Sequence, residues 1–317
     1  MKKTILLATI ICMSIATHAQ VKKNGRLKVQ GTQLVNERGE AVVLHGMSFG
    51  WHNFWPRFYN KGAVQELVKN WKCTVIRASM GIEPNERAYL QNPHESVQLM
   101  ERVIDACIKE DVYVIIDWHD HNIHTKEAKE FFGRMSKKYA KYPHVIYEIF
   151  NEPDKETWSE VKQYSEEVIA TIRANDKSNI ILVGSPQWDQ AVHLPAADPI
   201  KGYDNLMYTM HFYAGTHKQW LRDRTDAAIA KGLPIFVSEC AGMEATGNGP
   251  IDKAEWQKFK DWMDARRISW VAWSVADKNE TCSVLYPTAA SGGKWKDADI
   301  KEWGQIVRTA LQEYSNN

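Results

Sequence analysis

Three features of this 317-residue sequence predict an α/β fold of the (β/α)8 TIM-barrel type, a single domain with a short N-terminal β-hairpin. Apolar runs of strand length recur eight times, amphipathic stretches separate most of them, and polar or aromatic side chains stand at the carboxyl end of nearly every run. Near-continuous apolar strands alternating with helices belong to a parallel sheet covered on both faces. Eight such units in about 250 residues suit a closed barrel, whose chemistry sits at the strand carboxyl ends. A doubly wound open sheet is the alternative, but no glycine-rich phosphate loop follows the first strand.

Taken in order, the chain opens on a basic Met1-Lys2-Lys3, a mostly apolar stretch from Thr4 to Ile15, and a small residue at Ala19. This is the layout of a secretory signal peptide spanning residues 1–19, which leaves 20–317 as the mature domain. The apolar run falls short of the roughly 20 residues that a membrane-spanning helix needs. Gln20 to Lys23 reads as a loose leader. Leu27–Gln30 and Gln33–Val35, around Gly31, read as the hairpin. The eight strand candidates are Ala41–Met47, Thr74–Ser79, Val112–Trp118, Val145–Phe150, Ile180–Val183, Leu206–Phe212, Pro234–Ser238 and Ser269–Trp273. Helical periodicity is expected over Ala63–Lys69, Ser96–Glu110, Lys126–Lys141, Thr157–Ala174, Lys218–Lys231, Lys253–Ala265 and Ile300–Tyr314. Only the connection after Val183 is poorly helical.

Composition narrows the function. A formal net charge of +1 gives no electrostatic reason to bind nucleic acid or an anionic membrane. Thirteen Trp and twelve Tyr exceed what a core alone requires and suit a carbohydrate-binding cleft. Beyond Cys12, four cysteines remain: Cys73, Cys107, Cys240 and Cys282. In an exported protein they permit two disulfides, for which the expected pairing is 73–107 and 240–282. No CxxC or His/Cys spacing predicts a metal site.

The strand ends carry the chemistry. Glu152 closes the fourth run and Glu239 the seventh, and across a barrel mouth these ends face one another. Glycosidic bond cleavage needs two such carboxyl groups flanking the bond. Arg77 and Tyr213 are placed to donate to Glu239 and hold it ionised as a nucleophile. Burial and the partner's charge are expected to keep a proton on Glu152 as general acid. Asn151 is a candidate donor to a sugar 2-hydroxyl, and His119 and His211 are candidates to bond hydroxyls or tune the carboxylates.

Three other patterns have plainer readings. His119-Asp120-His121 with His124 resembles a metal cluster but lacks a clear fourth ligand. Gly46-Met47-Ser48-Phe49-Gly50 matches the nucleophile-elbow pattern, yet it runs into an aromatic loop, Trp51 to Pro56, where an elbow must enter a helix. Glu148 points into the barrel by strand alternation and is expected to be a buried structural carboxylate with a charged or hydrogen-bonded partner.

The stretches LHGMSFGW (44–51), VIRASM (75–80), VIIDWH (114–119), VIYEIFNEP (145–153), MHFYAGTH (210–217), IFVSEC (235–240) and WVAWSVADKNE (270–280) together resemble glycoside hydrolase family 5, most closely its bacterial endo-β-1,4-glucanase branch. The resemblance implies a (β/α)8 barrel, net retention of anomeric configuration, Glu152 as acid/base and Glu239 as nucleophile. It places Arg77, His119, Asn151, His211, Tyr213 and Trp273 around the cleavage point, with Trp188 and Lys278 at sugar-contacting positions. It implies no cofactor and a β-glucan polysaccharide or oligosaccharide as the substrate; the signal segment implies a secreted or periplasmic protein, expected to be a monomer. Cys240-Ala241-Gly242 stands where similar enzymes often have Trp-Gly, and the loop WHNFWPRF also departs from the pattern. Mannan, xylan and mixed-linkage glucan therefore stay open as substrates, and a non-catalytic carbohydrate-binding barrel is the reading from another class.

Overall fold

The computed structural model describes residues 19–315. The expected signal segment lies outside the described residues except for Ala19. Eight parallel strands close into a barrel: β3 (His45–Phe49), β4 (Val75–Gly81), β5 (Tyr113–His119), β6 (Val145–Glu148), β7 (Ile181–Val183), β8 (Leu206–Tyr213), β9 (Ile235–Ala241) and β10 (Trp270–Val275). β10 pairs with β3 to complete the ring. Ahead of them β1 (Lys28–Gln30) and β2 (Gln33–Val35) form the expected antiparallel hairpin, turning at Gly31 in the left-handed conformation that glycine adopts without steric cost.

The hairpin has a structural task. Leu27 and Leu34 pack with Val75, Tyr113, Ile115, Ile146, Leu182, Met207, Phe236 and Val271, which fill the barrel interior at its amino-terminal end. The predicted loose leader is instead a helical turn, Gln20–Asn24. Val21 joins the same apolar cluster, and the Gln20 and Val21 amides donate to the Asp111 carbonyl at 2.8 and 3.3 Å. A buried apolar side chain and two anchored amides are enough to order it.

Strand alternation sends the intervening residues outward. Val114, Ile116 and Trp118 of β5 pack among Phe131 and Phe132 of the following helix, Thr125–Tyr139. The other long helices are Lys61–Lys69, Pro93–Glu110, Trp158–Asn175, Gln219–Ala230, Lys253–Arg266 and Glu302–Ser315. Their starts follow local chemistry: Asn60 accepts from the Gly62 and Ala63 amides, and Thr157 and Glu160 form a reciprocal capping box.

Three expectations need correction. The first barrel strand begins at His45, because Ala41 is spent on an antiparallel bridge to Val35 of the hairpin. The fourth ends at Glu148, two residues short of Phe150. The expected disulfides are not formed: Cys73, Cys107, Cys240 and Cys282 are all free and buried. For the second pair, alternation gives the reason. Cys240 faces the helix layer, its thiol bonding the Val271 carbonyl, whereas Cys282 lines the barrel mouth. Cys73 and Cys107 are neighbours in the outer core, where burial pushes both thiols up in pKa. No described helix is long and apolar enough to cross a membrane.

Candidate active site

Above the apolar floor the same alternation lines the barrel with charge. Arg77 of β4 is fully buried and serves four partners. It donates to both oxygens of Glu148 (2.6 and 3.2 Å), to Glu239 (2.9 Å) and to the Asn151 side-chain oxygen (2.6 Å), and it lies 3.1 Å from Asp117. Burial works against the guanidinium, but Asp117, Glu148 and Glu239 outweigh it and raise its pKa. Glu148 thus has the charged partner expected of it, and burial is overcome by Arg77 so that its carboxyl is held low.

Glu239 reaches this network through an irregularity. Phe236 faces the interior, so strict alternation would point Glu239 outward. Between Thr209–Phe236 and His211–Glu239 the register of β8 against β9 slips by one residue. That bulge puts Ser238 and Glu239 both inside, Ser238 on His211 and Glu239 on Arg77. Tyr213, two residues beyond His211 on β8, donates its hydroxyl to the other Glu239 oxygen at 2.7 Å.

Glu152 lies four residues past the end of β6 rather than on a strand. Its amide donates to the Asp120 carbonyl (3.2 Å) and the preceding Asn151 amide to the Trp118 carbonyl (3.0 Å). The backbone beyond β5 therefore sets where both side chains point. His211 approaches Glu152 through Nδ1 at 2.9 Å, while its Nε2 meets Ser238 at 2.9 Å and Asp189 at 3.3 Å. Asn151 has its amide nitrogen buried with no hydrogen-bond partner, a donor held ready for a ligand. One oxygen each of Glu152 and Glu239 and one His211 nitrogen lie within 4.8 Å of one another. These three could offer ligand atoms to a cation, but the Arg77 guanidinium 2.9 Å from Glu239 already fills that electrostatic role.

The titration directions differ from the simple expectation. Burial and the charge of Glu152 raise Glu239, against the opposing pull of His211, Arg77 and Tyr213. Glu152 is held below its usual value because the His211 hydrogen bond and charge overcome burial. His211 itself is raised, since Asp189, Glu148 and Glu152 outweigh its burial. The His211–Glu152 contact thus raises the one group and lowers the other.

The walls are aromatic. Trp273 stacks on His119 with ring centres 5.1 Å apart, and Trp51 meets His119 edge-on at 4.4 Å. His119 Nδ1 lies 2.7 Å from an Asp117 oxygen, and burial, then Arg77, lowers the ring's pKa. Two hollows flank the carboxylates. One, of about 390 Å³, is lined by Trp51, Glu239, Trp273 and Lys278; the other, of about 550 Å³, by Glu152, His211, Trp188 and Trp220. Lys278 pairs with Glu280 at 2.5 Å on the rim of the first. All ten residues singled out from the sequence therefore surround one cleft. The histidine cluster disperses: His121 Nδ1 meets the Glu152 carbonyl, and His124 lies between Asp120 and Glu83.

Asp117, Asp189, Trp51 and Trp220 also belong to this cleft and were not picked out as site residues. Asp117 had a signal, its place two residues before His119 on the same strand face. Asp189 had none, because it follows β7 in an unusual turn. Gln187, Trp188 and Asp189 are three consecutive left-handed residues (φ 60, 53 and 60°). Each costs about 1 kcal/mol or more without glycine. The Asp189 carboxylate offsets that cost by accepting from the Ser185 amide and the Thr209 hydroxyl, both at 2.5 Å, and the Trp188 amide donates to the Pro153 carbonyl at 3.0 Å.

Comparison with known proteins finds relatives of both the sequence and the fold. The family model for cellulase, glycosyl hydrolase family 5, matches residues 35–279. An endoglucanase from Clostridium saccharobutylicum is 40% identical over 303 residues, covering 93% of this chain and 67% of that protein. Endoglucanase A of Evansella cellulosilytica is 44% identical over 283 residues, 87% of this chain and 57% of that one, so the chain spans little more than half of this relative's length. The catalytic domain of a Thermobifida fusca endoglucanase, solved in complex with cellotetraose, superposes with a TM-score of 0.88 at 33% identity, covering 93% of this chain and 99% of that one.

Proposed function

The chain belongs to glycosyl hydrolase family 5, and on that premise we propose that it is a retaining endo-β-1,4-glucanase acting by double displacement. The observation that carries this reading is the carboxylate pair. Oxygens of Glu152 and Glu239 within 4.8 Å are nearer the roughly 5–5.5 Å separation of retaining enzymes than the roughly 6.5–9.5 Å of inverting ones. Glu239 attacks the anomeric carbon as Glu152 protonates the departing glycosidic oxygen. Water, deprotonated by Glu152, then hydrolyses the glycosyl-enzyme with net retention.

The contacts around the pair support these roles. His211 Nδ1 lies 2.9 Å from Glu152, close enough to exchange a proton with it. Arg77 and Tyr213 bond the two Glu239 oxygens and favour its ionised form against burial. The orphaned Asn151 amide would meet the sugar 2-hydroxyl, a bond that strengthens in the oxocarbenium-like transition state. Lys278 and Trp273 would contact the glycone, Trp188 the aglycone, and neutral His119 a glycone hydroxyl. The cellotetraose complex of the relative supports a β-glucan chain as substrate. The basic-then-apolar N-terminus supports export, and the protein is expected to act as a monomer without a cofactor.

Turnover of carboxymethylcellulose is the first test. Glu152→Gln and Glu239→Gln should each lose most of it, and azide should rescue Glu239→Ala as the α-glycosyl azide. Wild-type-like rates in either Gln variant would overturn the assignment. Faster initial rates on mannan or xylan than on β-1,4-glucan would overturn the substrate, and binding of a glucan without cleavage would leave only a binding barrel.

A further inference from the structure

Trp188 and the His211–Glu152 pair line the same hollow, yet they come from separate strand ends, β7, β8 and β6. A single buried side chain touches the supports of both. Asp189 is fully buried; one oxygen accepts from the Ser185 amide, and the other meets the Thr209 hydroxyl at 2.5 Å and His211 Nε2 at 3.3 Å. The first contact closes the left-handed turn that projects the Trp188 ring, which is 48% exposed, into the hollow. The second contact seats that turn on β8, and the third bears on the imidazole whose opposite nitrogen holds Glu152 at 2.9 Å.

The geometry points to Asp189 as a positioning residue that fixes the aglycone platform Trp188 and the hydrogen-bonded His211–Glu152 pair in one relation to each other. It touches no substrate. Its effect is that a leaving glucosyl unit stacked on Trp188 has its glycosidic oxygen brought to Glu152 in register. A three-residue left-handed turn without glycine would otherwise relax, swinging the Trp188 ring and leaving His211 Nε2 to Ser238 and Glu148. The inference rests on the glycosidase reading, and it separates steps that use the aglycone side from steps that do not.

The experiment compares kcat/KM on cellopentaose with kcat/KM on β-cellobiosyl fluoride. Fluoride is small and departs with little help from an acid, so that substrate needs neither the platform nor Glu152 in the first step. Asp189→Asn should lower kcat/KM on cellopentaose by about 10-fold or more, a fraction of the roughly 10²–10⁴-fold that a general acid contributes, and on the fluoride by less than about 3-fold. In a Trp188→Ala background the same substitution should cost less on cellopentaose, since part of its effect passes through that ring. Thr209→Val, which keeps the carboxylate and removes one of its bonds, should show the same split in smaller measure, and it carries the test if Asp189→Asn does not fold. Equal losses on the two substrates, or an effect of Asp189→Asn independent of Trp188, would overturn the proposal. Wild-type inactivity on both substrates would instead remove the glycosidase reading on which it stands.

Discussion

The two ends of the barrel interior follow the same strand alternation and carry opposite chemistry. At the amino-terminal end Val75, Tyr113, Ile115, Ile146, Leu182, Met207, Phe236 and Val271 form an apolar plug closed by the hairpin. Further along the same strands and on the same face stand Arg77, Asp117, Glu148, His211 and Glu239, all buried. The lower layer gains from removing apolar surface from water, about 25 cal/mol per Å². The upper layer pays for desolvated charge and is tolerable only because every carboxylate shares one guanidinium or a histidine. The floor holds the strands together so that the costly layer can stay in place.

Substitutions can break this contrast. The largest expected effect is at Glu239. Glu239→Gln should lower turnover of carboxymethylcellulose at least about 10⁴-fold, the scale of losing a nucleophile. Its thermal melt should not fall, since a desolvated carboxyl that burial already raises is being replaced by a neutral isostere. A large loss of stability would show that the upper layer also holds the fold through this residue.

Arg77→Met should do harm in both respects. It leaves Glu148, Asp117 and Glu239 without their common partner, which should destabilise by roughly 3–5 kcal/mol in denaturant melts and abolish activity. Ile115→Ala, two positions toward the floor from Asp117 on the same strand face, should cost about 2–5 kcal/mol by opening a cavity. The folded enzyme should keep its kcat. Loss of kcat in step with stability would show that the floor and the catalytic layer are not separable.

Tyr213→Phe should have the smallest effect and sharpens the upper layer alone. The tyrosine hydroxyl lowers the Glu239 pKa, so its removal raises that pKa further. A nucleophile must be ionised, and activity is gained as pH rises through its pKa. The acidic limb of kcat/KM should therefore move to higher pH, by under about one unit. A shift toward lower pH would contradict the contact.

Much of this was legible in the residues. Eight apolar runs with helical spacing between them specified the barrel, because local hydrophobic period reports which faces must be buried. Arg77, Glu148, His119 and Tyr213 follow directly from alternation, each on the interior face of its strand. Glu152 and Asn151 were recognisable as polar residues just beyond a buried run. The ends of elements were less so: the hairpin bridge at Ala41 delayed the first barrel strand, and a leader read as loose became a helical turn through Val21.

By itself, then, the sequence determined the strand and helix periods, the pair of carboxylates and the aromatic excess, all of which are written in residue type and spacing. Tertiary structure decided three things that spacing cannot contain. The one-residue slip of β9 against β8 turned Glu239 inward, because register is a property of two strands and not of one. The cysteines remained unpaired, Cys240 and Cys282 because a thiol facing the helices cannot meet one lining the mouth. His211 is raised and Glu152 lowered, the latter the reverse of the expected direction, because Asp189, Glu148 and Glu152 are brought around one imidazole only by the closed barrel.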